Sequence, residues 1–263
     1  MQHEVHLGSA HLAEGSQGGV SRFAAEVVAR LVAKDAADGS GLREELLTRF
    51  MSAVASMDAA AFEDLKPELR RARVSAAMLA DLYIPEVARR LGEAWETDCV
   101  SFAQVTMGVA RLQAILREIG SGWSADTAAV GEATTLLLIL PQGEQHTLGA
   151  MVLAGRLRRM GISVSVKIAP SIAELAEYVA ERSFDGALIS IACEDRLEIC
   201  RKLVKTLKEA SDGRLKVAIG GALAEADENV MRLTGADVAT NDIALALERV
   251  GVASGVLPEL ETS

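Results

Sequence analysis

The sequence predicts an all-helical bundle followed by an α/β domain built on a doubly wound, five-stranded parallel sheet. Three observations carry this. From residue 20 to about 120, apolar residues recur at helical spacing throughout. Beyond residue 133, short apolar runs rich in Val, Ile and Leu alternate with helical segments, which is the pattern of right-handed βαβ units covered on both faces. Between the two lies SGWSADTAAVGEA, residues 121–133, small and polar as an interdomain linker is.

Residues 1–19 show no periodicity and end on three glycines in five positions, which predicts a mobile tail. VSRFAAEVVARLVAKDAA is the first helix, ended by Asp38-Gly39-Ser40-Gly41. LREELLTRFMSAVAS is the second. A third begins near Asp58, a good N-cap with Glu63 following. AAMLADLYIPEVARRLGEAWETD is the fourth, with Pro85 at a kink or helix start. SFAQVTMGVARLQAILREIG is the fifth, with Ser101 as N-cap and Gly120 as the C′ stop. The strands are TTLLLIL, ISVSVKI, GALISIA, LKVAIGG and ADVAT, and the helices among and after them begin near Thr147, Ser171, Glu194, Ala224 and Asp242. The chain therefore divides into a tail (1–19), a helical bundle (20–120), a linker (121–133), an α/β domain (134–252) and a C-terminal tail (253–263).

Composition narrows the function. At 263 residues, half of them apolar, the chain can bury a substantial core. A net charge of −10 argues against non-specific nucleic-acid binding, which needs clustered Lys and Arg, and leaves direct DNA contact through a local patch open. Cys99, Cys193 and Cys200 form no CxxC or zinc spacing, so free thiols in a reducing cytoplasm are expected. No apolar run approaches the ~20 residues of a membrane span, and the polar N-terminus lacks a signal-peptide core. A cytoplasmic protein without membrane contact is expected.

Doubly wound folds bind ligands at the carboxyl ends of their strands. Three of the four histidines, His3, His6 and His11, fall in the N-terminal tail; the fourth, His146, follows the first strand. That strand end delivers Glu144-Gln145-His146-Thr147-Leu148-Gly149, the third Ser190-Ile191-Ala192, the fourth Gly220-Gly221, and the fifth Thr240-Asn241-Asp242. A neutral imidazole can ligate a metal through one nitrogen while the other donates to a carboxylate, here Glu144. Gly149 and Gly220-Gly221 remove side chains from two strand ends, and Ser190 places a small hydroxyl between them. One histidine does not hold a bare ion, since zinc sites take three or four protein ligands. A metal on His146 must arrive already chelated, in a macrocycle.

ExHxxG, then Ser190-Ile191-Ala192, then Gly220-Gly221, resembles the DxHxxG…SxL…GG pattern of the cobalamin-binding domain of methionine synthase and the methylmalonyl mutases. The resemblance implies a flavodoxin-like domain in which His146 is the lower cobalt ligand in place of dimethylbenzimidazole. It puts Glu144 behind the histidine, Gly149, Ser190, Gly220 and Gly221 along the channel of the displaced nucleotide tail, and Gln145, Thr147, Leu148, Ala192 and Asn241 among the cofactor-binding residues. Two departures stand out: glutamate replaces aspartate, one methylene longer, and SxL has become Ser190-Ile191-Ala192.

The helical half resembles the cap of methionine synthase and of cobalamin-dependent light-sensing regulators. In the CarH/LitR-type photoreceptors a tryptophan is followed, after nine residues, by Glu-His, which cradles an adenosyl group. This chain keeps Trp95 but has Val105-Thr106, which implies hydroxo- or aquocobalamin in preference to adenosylcobalamin, with His11 a candidate upper ligand. The cap without Glu-His, the acidic charge, the size and the lack of a DNA-binding module look most like the AerR/PpaA antirepressors of photosynthetic bacteria. The implied function is a light- or redox-responsive transcriptional regulator, not an enzyme, acting on a CrtJ/PpsR-type repressor of photosynthesis and tetrapyrrole genes. Two alternatives share the architecture: a corrinoid carrier of a methyltransferase system, and a haem sensor on the same fold.

Overall fold

The computed structural model describes residues 42–58, 60–120, 134–226 and 229–252. The expected N-terminal tail with His11, the first helix, the linker and the C-terminal tail lie outside the described residues.

The helical module consists of α1 (Glu44–Ala55), α2 (Ala61–Arg71), α3 (Ala76–Met78), a π-helical turn (Leu79–Tyr83), α4 (Ile84–Glu96) and α5 (Phe102–Gly120). Apolar stripes build its core. Leu47, Phe50 and Val54 of α1 meet Ile84, Val87 and Leu91 of α4 and Leu112 of α5, all fully or almost fully buried. The expected fourth helix is broken by the π turn, and Pro85 is the physical reason. It has no N–H to give the carbonyl four residues back, and Ile84 donates five residues back, to the carbonyl of Leu79. Asp58 is not an N-cap as expected. The helix starts three residues later, and Asp58 instead accepts the Ala60 N–H at 2.8 Å. Ser101 does cap α5, exchanging bonds with Gln104 in a capping box.

The α/β domain runs β1 (Thr135–Leu140), α6 (Thr147–Arg159), β2 (Ser163–Ile168), α7 (Ile172–Ala180), β3 (Gly186–Ser190), α8 (Leu197–Ala210), β4 (Val217–Gly220), α9 (Ala222–Ala226), α10 (Val230–Thr234), β5 (Val238–Ala239) and α11 (Ile243–Val250). All strand pairs are parallel, in the order β2-β1-β3-β4-β5. β1 explains the run TLLLIL. Leu137 and Ile139 enter the core beneath α7 and α8, while Leu136, Leu138 and Leu140 enter the one beneath α6 and α11. Two segments differ from expectation. The helix expected at Glu194 opens with a 3-10 turn, Glu194–Arg196, and the one expected near Ala224 is two short helices, α9 and α10.

α6 joins the two halves. Its Val152 is buried in the core of the helical module, and Leu148 and Met151 pack against it. Gln113 of α5 donates to the Thr147 hydroxyl at 2.8 Å at one end of α6. Arg159 pairs with Asp81 of the π turn at the other. The order of the strands reverses between β1 and β3, so the crevice of the fold opens beside the start of α6.

Candidate cofactor site

The loop from Pro141 to His146 carries the chain from the end of β1 into α6. His146 holds the N-cap position, with φ −83° and ψ 70°, but its side chain makes no cap bond. It turns to Glu144 instead: Nδ1 lies 2.7 Å from Glu144 Oε1. The same oxygen accepts the His146 backbone N–H at 2.8 Å, and Oε2 accepts the Ala192 N–H at 2.9 Å. The Glu144 side chain is 2% exposed and that of His146 21%. Burial alone would raise the Glu144 carboxyl. The His146 ring, the His146 N–H and the Ala192 N–H outweigh it and hold the group below the usual carboxylate range. An ionised carboxylate only accepts, so Nδ1 donates to it, and in a neutral imidazole that leaves Nε2 as the ligating nitrogen. This is the tautomer a metal-ligating imidazole needs.

The two departures from the family pattern have a structural meaning. The longer arm of glutamate spans from the β1 loop to the backbone just beyond β3. Ala192 contributes its N–H and not its side chain, while Ile191 is fully buried in the core beneath α7 and α8.

Gly220 and Gly221 close β4. Gly221 has φ +110°, and a Cβ there would stand 2.0 Å from the Ile191 carbonyl oxygen. Only glycine fits. Asn241 clasps the same residue from both sides: its Oδ1 accepts the Gly221 N–H at 2.7 Å, and its Nδ2 donates to the Gly221 carbonyl at 3.2 Å. Ser190, 9% exposed, is in register with Gly220.

Gly149, Ser190, Gly220, Gly221 and Asn241 line one cavity of about 90 Å³ between the sheet and helices α6 and α11. It passes from the strand ends down to Leu138, Leu188 and Ala218 at mid-strand. The floor is apolar but for Arg156 and the other polar groups gather at the strand ends, which suits a flat organic appendage with a polar stem. The helix begins at Thr147 as expected, and Gly149 is its third residue. Thr240, named at the end of the fifth strand, also lines the cavity, and sequence reasoning missed Ile243 and Arg156, which line it too. Arg156 carries a readable signal, since it lies seven residues, two helical turns, beyond Gly149.

Not every expected residue joins this arrangement. Gln145 is exposed, and its carbonyl accepts the Thr147 N–H at 3.0 Å. Leu148 faces the helical module. On that module Trp95 and Phe102 pair with ring centroids 6.1 Å apart, and Phe102 is 69% exposed. Val105 is half-buried, and the exposed Thr106 bonds its own helix at the Phe102 carbonyl, 2.8 Å away. Thr106 lies two turns before Gln113 on one face of α5, so the stripe that starts at the His146 loop leads to it. Gln113 was also missed, and nothing in its local pattern marks it.

The residues fit a macrocycle-borne metal. Among the described residues no group of three His, Cys, Asp or Glu is placed to hold a bare ion, and no helix is long and apolar enough to cross a membrane. Residues 134–249 match the B12 binding domain family. A 20.5 kDa protein in the bchF-crtJ intergenic region of Rhodobacter capsulatus is 46% identical over 180 residues, 68% of this chain and 94% of that protein. The fold is that of the Methanosarcina barkeri monomethylamine corrinoid protein, with a TM-score of 0.61 at 17% identity over 79% of this chain and 97% of the other. The β1 histidine loop, the glycine clasp on β4 and these matches agree: this chain carries a B12 binding domain and belongs to the family of the Rhodobacter capsulatus bchF-crtJ intergenic protein.

Proposed function

We propose that this protein is a cobalamin-binding, light- or redox-responsive regulator, an antirepressor of a CrtJ/PpsR-type repressor of photosynthesis and tetrapyrrole genes. The observation that carries the cofactor half is the Glu144–His146 pair at 2.7 Å. His146 offers Nε2 as the lower cobalt ligand, and Glu144 keeps the proton on Nδ1. Gly149, Ser190, Gly220 and Gly221 receive the nucleotide tail, and Asn241 keeps the glycine turn open. Cobalamin, when bound, would supply a cobalt centre sensitive to light and to redox state.

The regulatory half rests on two supports. The Rhodobacter capsulatus relative lies between bchF and crtJ. The helical module is bonded to the His146 loop through Gln113 and Thr147, so a change above the corrin has a short path into it. Val105 and Thr106 offer no Glu-His pair to hold an adenosyl group, which favours hydroxo- or aquocobalamin. A switch needs contacts that differ between its two states; Trp95, Val105 and Thr106 are the residues that feel the change.

The test is the absorption spectrum of the full chain with hydroxocobalamin, dark and illuminated, for wild type and His146→Ala. Stoichiometric binding, a spectrum shifted or lost in His146→Ala, and a light-dependent change are expected. Binding without a light response points to a corrinoid carrier. Uptake of haem in place of cobalamin overturns the reading.

A further inference from the structure

α6 ends on three arginines that behave differently. Arg158 donates to the Val164 carbonyl at 2.9 Å, and Arg159 pairs with Asp81. Arg156 is half-buried and lines the cavity. Among the described residues no hydrogen bond or ion pair holds its guanidinium. The one carboxylate lining the same cavity, Asp242, is committed to capping α11, accepting from Ala244 at 2.8 Å and Leu245 at 3.1 Å. Below the polar strand ends, the cavity wall thus carries a single cation among apolar residues.

Its place along the cavity says what it meets. Gly149 stands at the mouth, beside the strand ends and the His146 loop. Arg156 is seven residues further down the same helix, about 10 Å deeper. α6 runs antiparallel to the strands, so this is the end remote from His146. On the cobalamin reading, the nucleotide tail enters from the strand ends. The tail is joined in the order corrin, phosphate, ribose, base, so a tail threaded this way would carry its aromatic base deepest. A benzimidazole that has left cobalt carries an imine nitrogen with an uncompensated lone pair. Burying such an acceptor in an apolar cavity without a donor is costly.

We infer that Arg156 is the residue that selects the lower base of the corrinoid, donating a hydrogen bond to the imine nitrogen of a benzimidazole-type base. Serine and glycines at the mouth admit any tail of the right width; Arg156 at the far end distinguishes bases that offer an acceptor from those that do not. This rests on the cobalamin reading above.

The test measures the affinity of the full chain for three corrinoids: hydroxocobalamin, a cobamide with p-cresol as its lower base, and cobinamide. The second keeps the phosphate and ribose but lacks the imine nitrogen; the third lacks the nucleotide. Leaving cobalt costs benzimidazole a bond that p-cresol never made, so the quantity read is the change on mutation: the hydroxocobalamin to p-cresol cobamide affinity ratio should fall about 10- to 100-fold from wild type to Arg156→Met, the worth of one hydrogen bond to a charged group. That fall should come from weakening hydroxocobalamin alone, with the His146-dependent spectrum retained, and Arg156→Lys should restore part of it. Equal weakening of hydroxocobalamin and the p-cresol cobamide, with cobinamide untouched, assigns Arg156 to the phosphate and overturns the inference. Equal weakening of all three, or of none, also overturns it. Wild-type protein that binds hydroxocobalamin indifferently to His146→Ala defeats the cobalamin reading itself, a result separable from any outcome at Arg156.

Discussion

Glu144→Gln is the most informative single substitution. The carboxylate accepts three N–H bonds within 2.9 Å: from His146 Nδ1 and the His146 backbone on Oε1, and from Ala192 on Oε2. An amide of the same shape has one acceptor oxygen and one donor nitrogen. With its oxygen toward His146, its NH₂ faces the Ala192 N–H; flipped, it faces the His146 N–H. In either pose a buried donor loses its acceptor, at about 1–3 kcal/mol, and the remaining bonds lose their charge, so the total is roughly 2–4 kcal/mol. At about 2–4 °C per kcal/mol for a chain of this size, the melting temperature should fall by roughly 5–15 °C. The flipped pose also lets the ring proton move to Nε2, so affinity for hydroxocobalamin should drop about 10- to 100-fold. The pH dependence follows from the lowered Glu144 carboxyl. Folding depresses its pKa, so its contribution is full above the ordinary carboxylate value of 4.5 and is lost as pH falls through the lower, folded value. The wild-type advantage over Glu144→Gln should therefore shrink in that acid window. Thermal melts of the ligand-free chain between pH 3 and 7, with cobalamin titrations at pH 7, check both parts. A variant melting within a degree of wild type with unchanged affinity would refute the argument.

Further expectations follow from other contacts. Gly221→Ala combines φ +110° with a Cβ 2.0 Å from a backbone oxygen, and should cost more than about 3 kcal/mol by urea denaturation. Gly161→Ala, at φ +80° with open space around it, should cost only about 1–2 kcal/mol; similar costs at the two sites would sink the steric account. Asn241→Ala removes the two bonds to Gly221. It should lower stability by about 1–3 kcal/mol and weaken hydroxocobalamin binding, read by the same melts and titrations. Gln113→Ala deletes the link to Thr147 and should cost about 0.5–1.5 kcal/mol. Hydrogen exchange should rise in α5, and unchanged protection there would show that α5 is held by packing alone.

Much of the architecture was legible in the sequence because it rests on local periodicity. TLLLIL reads as a doubly covered strand since both of its faces are apolar, and Leu137 and Leu138 do enter opposite cores. Asp242 and Ser171 announced their helices because a cap is satisfied within three residues. Pro85 marked an irregularity, but not its kind. Whether the preceding turn kinks, restarts or widens into a π turn depends on how it packs against α6, and the sequence does not carry that.

At the site the division is similar. The sequence by itself determined that one histidine would stand at a strand end, with a carboxylate two residues before it and glycines on another strand. Those are facts of spacing and of which strands alternate with helices. Only the tertiary structure decided that the longer glutamate reaches both the imidazole and the Ala192 N–H, because the loops after β1 and β3 are neighbours across the sheet. It likewise decided that Asn241 clasps Gly221 and that Gln113 bonds Thr147, 34 residues on. It set Arg156, which helical spacing puts on the face of Gly149, at the cavity wall among residues from three strands and two helices. A hydrogen bond between distant segments depends on where the folded sheet and helices set them, and no local pattern encodes that distance.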